Sequence, residues 1–141
     1  DFLEFAKNDA KDNTPSTPAL ALLHALKQMV DSIMTEGLEA RYARHKENND
    51  LVHAWVEANG FAHFAPAGYR SRTLTTIANN RELEVAGFVK AVREKHNFLI
   101  NGGYGKIKGK TFRISNMGNE TAETMHELLA ALDDVLPGFV S

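Results

Sequence analysis

Apolar residues recur at three- and four-residue intervals along several stretches of the chain, which is the pattern of helices with one buried side. The first stretch predicts a long helix that begins at Pro18, with Thr17 as its N-cap, bends or breaks at Gly37 and ends at Asn59. We expect the apolar stripe of its first half to be buried. That stripe consists of Leu22, Leu23, Leu26, Met29, Val30, Ile33 and Met34.

The same periodicity predicts two further helices in the second half of the chain. Asn79 and Asn80 are expected to cap one that ends near His96. Asn119 is expected to cap the other, which carries a regular stripe of leucines and stops before Pro137. Each helix should bury one face.

Short runs rich in β-branched and aromatic residues alternate with these helices and predict strands. The runs are 61–65, 72–77, 98–100 and the segment around Phe112 and Ile114. The first two runs are expected to share a sheet. The order of elements predicts an α+β fold, in which helices pack on one face of a small, largely antiparallel sheet that follows a long helix.

A basic, glycine-rich loop at 101–110 leads directly into the last of these strands. Successive side chains of a strand point to opposite faces, so Phe112 and Ile114 should share the core-facing side and Arg113 should lie on the open side. A guanidinium held on a strand presents a planar fork that suits a carboxylate, which favours Arg113 as an anion-binding residue. The alternative interpretation is a surface ion pair without function.

The loop does not carry a nucleotide-binding motif. The tripeptide 109–111 has the composition that ends a phosphate-binding P-loop, but neither Gly103 nor Gly105 stands at the required separation from it. A strand, not a helix, is also expected to follow. The dinucleotide-binding pattern fails because Lys108 occupies the position of its third glycine.

Composition limits the remaining function classes. With 141 residues and 43% hydrophobic content, the chain is expected to form one domain with its own core. A net charge of −2 gives no support to binding of nucleic acid or an anionic membrane, and no apolar run approaches the length of a membrane span. We therefore expect a soluble protein. The chain has no cysteine, which excludes thiolate chemistry and agrees with the expected cytoplasmic location.

The histidines and the clustered basic residues do not indicate a further functional site. The histidines are scattered without the spacing of paired metal ligands, so no metal site is expected. The cluster of Arg41, Arg44, His45 and Lys46 alternates with acidic residues and is interpreted as a solvated, salt-bridged face.

Four motifs remain, and their order along the chain is informative. They are Thr14-Pro15-Ser16-Thr17-Pro18, Glu36-Gly37-Leu38-Glu39 with Arg44 and His45, Gly102-Gly103-Tyr104-Gly105, and Phe112-Arg113-Ile114 with Met117 and Gly118. In this order they resemble the C-terminal part of class V aminotransferases, the group of the alanine–glyoxylate, serine–pyruvate and phosphoserine aminotransferases. The resemblance covers roughly residues 14 to 136.

The resemblance implies a fold type I enzyme that uses pyridoxal 5′-phosphate to transfer an amino group between an amino acid of the serine, phosphoserine or alanine type and a 2-oxo acid. The cofactor would be bound to a lysine in a large N-terminal domain, so no catalytic residue is assigned in this chain. Arg113 matches the arginine that binds the substrate carboxylate. Thr17, by its spacing to the helix, or Thr14, by the local Thr-Pro sequence, matches the threonine that reaches the cofactor phosphate of the neighbouring subunit in a homodimer.

The resemblance also implies domain boundaries. Residues 1–13 would be a linker or interdomain segment and residues 14–141 the small domain of a longer parent, and a start without methionine agrees with a fragment. The isolated chain is therefore predicted to be inactive and not to bind the cofactor.

Two questions stay open at this point. The segment 68–77 looks more like phosphoserine aminotransferases, whereas the C-terminal residues fit the alanine–glyoxylate side equally well, so the sequence does not select a substrate. The absence of cysteine argues against a cysteine desulfurase. The alternative to an enzyme fragment is a stand-alone, non-catalytic domain that binds an anionic metabolite or a partner protein.

Overall fold

The computed structural model describes residues 1–140 and divides the chain into two compact units, residues 1–38 and the remainder from Glu39 onward. The first unit contains α1 (Phe2–Asp9) and α2 (Leu20–Glu36). No helix among the described residues is both long and apolar enough to cross a membrane.

Helix α2 begins later than predicted. Its N-cap is Ala19, which offers no capping side chain, so the expectation of Thr17 as cap and Pro18 as first residue is wrong. The carbonyl of Pro18 accepts a hydrogen bond from the Leu20 amide in a tight turn, and the first helical bond runs from Leu23 to Ala19. The predicted end is confirmed, because Gly37 follows the helix with a φ of +84°, a conformation that favours glycine.

The apolar stripe of α2 is present but not buried, contrary to the sequence-based expectation. No residue of this helix is classed as buried, and each of its leucines is more than half exposed. Periodicity identifies the apolar face of a helix, whereas burial also requires a surface that packs against that face.

The second unit contains three helices and a small sheet. The helices are α3 (Leu38–Ala58), which begins at the unit boundary, α4 (Val85–His96) and α5 (Ala122–Val135). The strands are β1 (Ala62–His63), β2 (Leu74–Ala78), β3 (Asn101–Gly102) and β4 (Thr111–Ser115). All pairs are antiparallel and the order across the sheet is β1-β2-β4-β3. The predicted pairing of the first two strand segments is confirmed.

The third strand is displaced from its predicted place at 98–100. Leu99 is exposed, and pairing begins only at Asn101, which lies opposite Arg113. Gly102 then pairs with Phe112, and the amide of Gly103 donates to the carbonyl of Thr111. The apolar character of 98–100 reflects packing of Phe98 and Ile100 on the core, not membership of the sheet.

Helix α4 is not capped by the predicted asparagines. Its N-cap is Glu84, whose carboxylate accepts from the amides of Ala86 and Gly87. Asn79 instead closes the preceding loop, because its side chain accepts from the Leu83 amide and donates to the carbonyls of Leu83 and Gly109. Asparagine satisfies loop and cap geometries equally well, so its position alone does not decide between them.

Helix α5 is capped by Thr121 and not by Asn119. Thr121 and Thr124 exchange hydrogen bonds between their hydroxyls and each other's backbone amides, which forms a capping box. Asn119 lies in the turn before it, where its side-chain oxygen is 3.5 Å from a guanidinium nitrogen of Arg41.

This difference yields a test. Thr121→Ala is expected to lower the free energy of unfolding by about 1 kcal/mol, because it leaves backbone amides of the first turn without an acceptor. Asn119→Ala should have a smaller effect. Urea denaturation of both variants measures this, and a larger loss in Asn119→Ala would contradict the assignment of the cap.

The core lies between one face of the sheet and the helices α3, α4 and α5. Ile77, Phe112 and Ile114 are fully buried on that face. The ring of Phe112 contacts those of Phe61 and Phe88 edge-on, with centroids 5.3 and 5.8 Å apart. The predicted α+β fold, an antiparallel sheet with helices on one face after a long helix, is confirmed.

Candidate functional site

Arg113 projects from the sheet face opposite the core. Its neighbours Phe112 and Ile114 are fully buried, whereas Arg113 is half-buried, so the predicted alternation along β4 is confirmed. Directly opposite residues of an antiparallel pair lie on the same face, and Arg113 pairs with Thr76 on β2 and Asn101 on β3. The open face therefore carries polar side chains on both sides of the guanidinium.

The guanidinium is stacked on an aromatic ring. Its central carbon Cζ lies 4.3 Å from the ring centroid of Tyr104, within the range of a cation–π interaction. The Nε of Arg113 is buried and has no hydrogen-bond partner among the described residues. Because buried donors are nearly always satisfied, this site is suited to an acceptor supplied by a ligand or by water.

The glycine-rich loop determines where Tyr104 lies. A Cβ atom at Gly103 would be 2.3 Å from the hydroxyl oxygen of Thr111, so only glycine fits there. Gly105 has a φ of +53° and begins a short 3₁₀ turn that ends at Ile107, whose amide donates to the carbonyl of Tyr104. The sequence pattern marks these glycines but does not identify the aromatic ring that they position.

Thr14 and Thr17 lie in the other unit, in the exposed segment before α2. The hydroxyl of Thr14 donates to the carbonyl of Ser16 at 2.7 Å, and its amide donates to the side chain of Asn13. The role of either threonine in binding a cofactor phosphate stays a prediction, as does the role of Arg113 in binding a carboxylate.

The predicted salt-bridged face on α3 is confirmed at Lys46, and the arginines of the same cluster make further contacts. Lys46 forms an exposed ion pair with Asp50. The arginines hold the loop before α5, since Arg44 donates to the carbonyl of Glu120 at 2.6 Å and Arg41 donates to the carbonyl of Gly118 at 3.2 Å. These contacts join segments far apart in sequence, which the local charge pattern could not indicate.

Sequence reasoning also missed a pair of histidines. His53 on α3 and His63 on β1 make an edge-on contact with ring centroids 4.4 Å apart, beside a cavity of about 150 Å³. Their Nε2 atoms are buried without a hydrogen-bond partner among the described residues, although Glu57 lies 3.8 Å from that of His63. Residues 1–140 contain no group of three or more histidine, aspartate or glutamate side chains arranged to hold a metal ion.

The environment favours the neutral form of both imidazoles. Burial lowers the pKa of His53 and of His63 below the ordinary 6.5, and the nearby cation of Arg70 lowers both further. Glu57 acts in the opposite direction on both histidines, as Asp50 does on His53, but burial is the largest effect.

A pH dependence of stability follows from these lowered pKa values. Below pH 6.5 the unfolded chain binds protons at His53 and His63 that the folded chain binds less readily. The stabilisation of the folded state that comes from the neutral histidines is therefore present above that pH and is lost as the pH falls. The free energy of unfolding from urea denaturation should therefore decrease between pH 7.5 and 5.5.

The control is the double variant His53→Gln, His63→Gln, which should show a shallower decrease, whereas the exposed His24→Gln should retain it. Asp134 does not interfere, because hydrogen bonds from Lys95 and His96 lower the pKa of its carboxyl below 3.8, outside this range. An unchanged slope in the double variant would contradict the assignment.

The chain is similar to known proteins over most of its length. It is 34% identical over 119 residues to an uncharacterized aminotransferase of Methanocaldococcus jannaschii, which covers 84% of this chain and 31% of that protein. Over 137 residues it is 29% identical to the serine–glyoxylate aminotransferase of Arabidopsis thaliana, which covers 96% of this chain and 34% of that protein. It is also 28% identical over 136 residues to a Synechococcus protein named soluble hydrogenase, small subunit, covering 96% and 35%. No family model matches the chain.

Solved structures agree with these relatives. The alanine–glyoxylate aminotransferase of Nostoc sp. superposes with a TM-score of 0.79 at 30% identity, covering 86% of this chain and 32% of that one. The pyridoxamine–pyruvate aminotransferase of Mesorhizobium loti superposes with a TM-score of 0.81 at 26% identity, covering 88% and 32%. The chain thus spans about a third of the length of the relatives it matches. By sequence and by fold, the chain is a homologue of class V aminotransferases, and as a partial chain it fits their C-terminal domain.

Proposed function

We propose that this chain is part of a pyridoxal 5′-phosphate-dependent aminotransferase and that it supplies the arginine that binds the carboxylate of the substrate. In this proposal residues 14–141 form the small domain and residues 1–13 an interdomain segment. The observation that carries it is Arg113, a half-buried cation on the open face of the sheet whose Nε has no hydrogen-bond partner among the described residues.

Arg113 is well suited to orient an amino acid. Arg113 forms no ion pair with an aspartate or glutamate among the described residues, and its planar amines match the two oxygens of a carboxylate. Transamination requires the α-carbon of the substrate to be held in one orientation, and a carboxylate bound at two points meets this requirement. Arg113 would thus bind and orient the substrate without transferring a proton.

The described residues include none suited to bind pyridoxal phosphate covalently. When bound, pyridoxal phosphate supplies the electron sink that stabilises negative charge at the α-carbon of the amino acid. Lys106, Lys108 and Lys110 are exposed in or beside the glycine loop, whereas a lysine that forms an imine is activated in a desolvated pocket or beside another cation. The lysine that binds the cofactor would therefore belong to another part of the full-length protein.

Either Thr14 or Thr17 would contact the cofactor phosphate of a second subunit. Both are exposed, and a threonine hydroxyl is able to donate to a phosphate oxygen. This contact requires a homodimer. Sedimentation of the full-length protein as a monomer at working concentration would count against this part of the proposal.

The names of the relatives suggest the substrates. Serine–glyoxylate and alanine–glyoxylate aminotransferases are among them, so the donor is proposed to be an amino acid of the serine, phosphoserine or alanine type and the acceptor a 2-oxo acid such as glyoxylate. The relative named as a hydrogenase subunit stands apart from the others in name, and the aminotransferase interpretation has support from both sequence relatives and solved structures.

The test is an assay of the full-length protein. L-serine, O-phospho-L-serine and L-alanine serve as donors with glyoxylate, pyruvate or 2-oxoglutarate as acceptors, and formation of the new amino acid is measured. We expect transamination by the full-length protein, and neither activity nor cofactor absorbance with the isolated chain. Lack of turnover with every pair would contradict the proposed activity and favour a non-catalytic anion-binding domain, while turnover by the isolated chain would contradict the need for a second domain.

A further inference from the structure

We propose that Tyr104 is a positioning residue for Arg113: its ring fixes the plane of the guanidinium and thereby sets the orientation in which a carboxylate is bound. The inference rests on the proposed function of Arg113 and deepens it. Its basis is the stacking contact, in which the guanidinium carbon lies 4.3 Å from the ring centroid of Tyr104.

Packing into the core does not explain the position of this ring. Tyr104 is 69% exposed, and an aromatic side chain in that state gains little from burial. The ring is instead presented by a short loop whose backbone is held at both ends: the Gly103 amide donates to the Thr111 carbonyl at 2.9 Å, and the Tyr104 carbonyl accepts from the Ile107 amide at 3.1 Å. A loop held in this way keeps the ring over one place on the sheet.

The backbone of this loop also restricts Tyr104 to one position. Gly103 has no room for a side chain, since a Cβ atom would approach the carbonyl oxygen of Ile107 to 2.4 Å. Gly105 has positive φ, which directs the chain into the turn immediately after the tyrosine. The two glycines that flank Tyr104 therefore place its aromatic ring against the face of the Arg113 guanidinium.

Stacking suits the task better than an ion pair would. A ring covers the face of a guanidinium and leaves its in-plane N–H groups free, whereas an internal carboxylate would occupy the fork and neutralise the charge. The buried Nε of Arg113 has no hydrogen-bond partner among the described residues, so a carboxylate bound in the guanidinium plane would supply its acceptor. We therefore expect the carboxylate to bind in the plane that Tyr104 defines, with one oxygen at Nε and the other at a terminal amine.

Fixing this plane in advance reduces the ordering that substrate binding requires. An arginine side chain has several rotatable bonds, and holding it in one geometry before the ligand arrives increases affinity. The expected signature is an effect on substrate binding and not on the chemical step.

The kinetic test uses three variants of the full-length protein. Tyr104→Leu removes the ring and should raise KM for the amino donor about three- to tenfold, with kcat within twofold of the wild-type value. Tyr104→Phe keeps the ring and should restore the wild-type KM. Tyr69→Leu is the matched control, because Tyr69 is also exposed but stacks on no arginine among the described residues, and it should change neither parameter. A wild-type KM in Tyr104→Leu, or a KM in Tyr104→Phe as high as in Tyr104→Leu, would overturn the proposal.

A second measurement does not depend on activity. In the 141-residue chain, the ring current of Tyr104 should shift the Nε–H resonance of Arg113 upfield in a ¹H–¹⁵N spectrum, and the shift should persist in Tyr104→Phe and vanish in Tyr104→Leu. Titration with acetate should perturb this resonance more strongly in the wild-type chain than in Tyr104→Leu.

The two measurements separate the failure of this inference from that of the proposed function. Without any transamination by the full-length protein, the spectrum still decides whether the ring orients the guanidinium. Conversely, transamination together with a resonance that does not differ between the wild type and Tyr104→Leu would reject the role of Tyr104 and leave the enzyme assignment intact.

Discussion

Replacing Arg113 by alanine in the full-length protein is expected to lower kcat/KM for the amino donor by about 30- to 1000-fold, equivalent to about 2–4 kcal/mol. This is the range for loss of a charge-assisted, two-point hydrogen bond in a site that excludes water. Folding should be nearly unaffected, because Arg113 projects from the open face and makes no ion pair or hydrogen bond within the described residues that its removal would break.

Two variants serve as controls for this prediction. Arg113→Lys should recover only part of the loss, since an ammonium supplies charge but not a planar fork. Arg93→Ala removes an exposed arginine in the last turn of α4 and should leave kcat/KM unchanged. If Arg113→Ala instead kept near-normal kinetics and lost much of its melting temperature, the arginine would be structural and the site assignment wrong.

Phe112→Ala, one position away, should have the reverse effect. Phe112 is fully buried and its ring contacts those of Phe61 and Phe88, so truncation creates a cavity at the centre of the core. The expected loss is about 3–5 kcal/mol in the free energy of unfolding, measured by urea denaturation of the chain. A loss of this size is a large fraction of the stability of a small domain.

The matched control deletes the same side chain outside the core. Phe64 is 49% exposed, and Phe64→Ala should cost much less than Phe112→Ala. Equal losses in the two variants would mean that Phe112 does not occupy the packed centre of the fold. The contrast between Phe112→Ala and Arg113→Ala then tests the alternation of β4 directly, because adjacent positions affect stability and function separately.

Much of the fold could be predicted from local pattern. The helical periodicity along α4 and α5 indicates which side of each helix packs on the core, and the alternation along β4 assigns Phe112 and Ile114 to the core. These assignments succeed because a residue's own neighbours in sequence determine the face on which it lies. The order of the four motifs along the chain likewise predicts the correct family.

Helix starts were predicted less well. Thr17, Asn79 and Asn119 are all residues that favour N-caps, yet the observed caps are Ala19, Glu84 and Thr121. The side chain of Asn79 closes a loop through hydrogen bonds to Leu83 and Gly109, a competing use that propensity alone does not weigh. Side chains that cap helices also stabilise turns, so several nearby candidates are equivalent until the chain path is known.

By itself the sequence determined the helices of the second unit, the antiparallel sheet class, the face of Arg113 and the family. The helices and the face of Arg113 follow from patterns within a short window, and the sheet class and the family follow from the order of elements and motifs along the chain. Only the tertiary structure brought His53 beside His63, the carbonyl of Glu120 to Arg44, and the ring of Tyr104 over Arg113. These contacts depend on how separate elements cross and pair in space. No periodicity within one element encodes them, because the distance between two side chains on different elements is set by packing of the whole core.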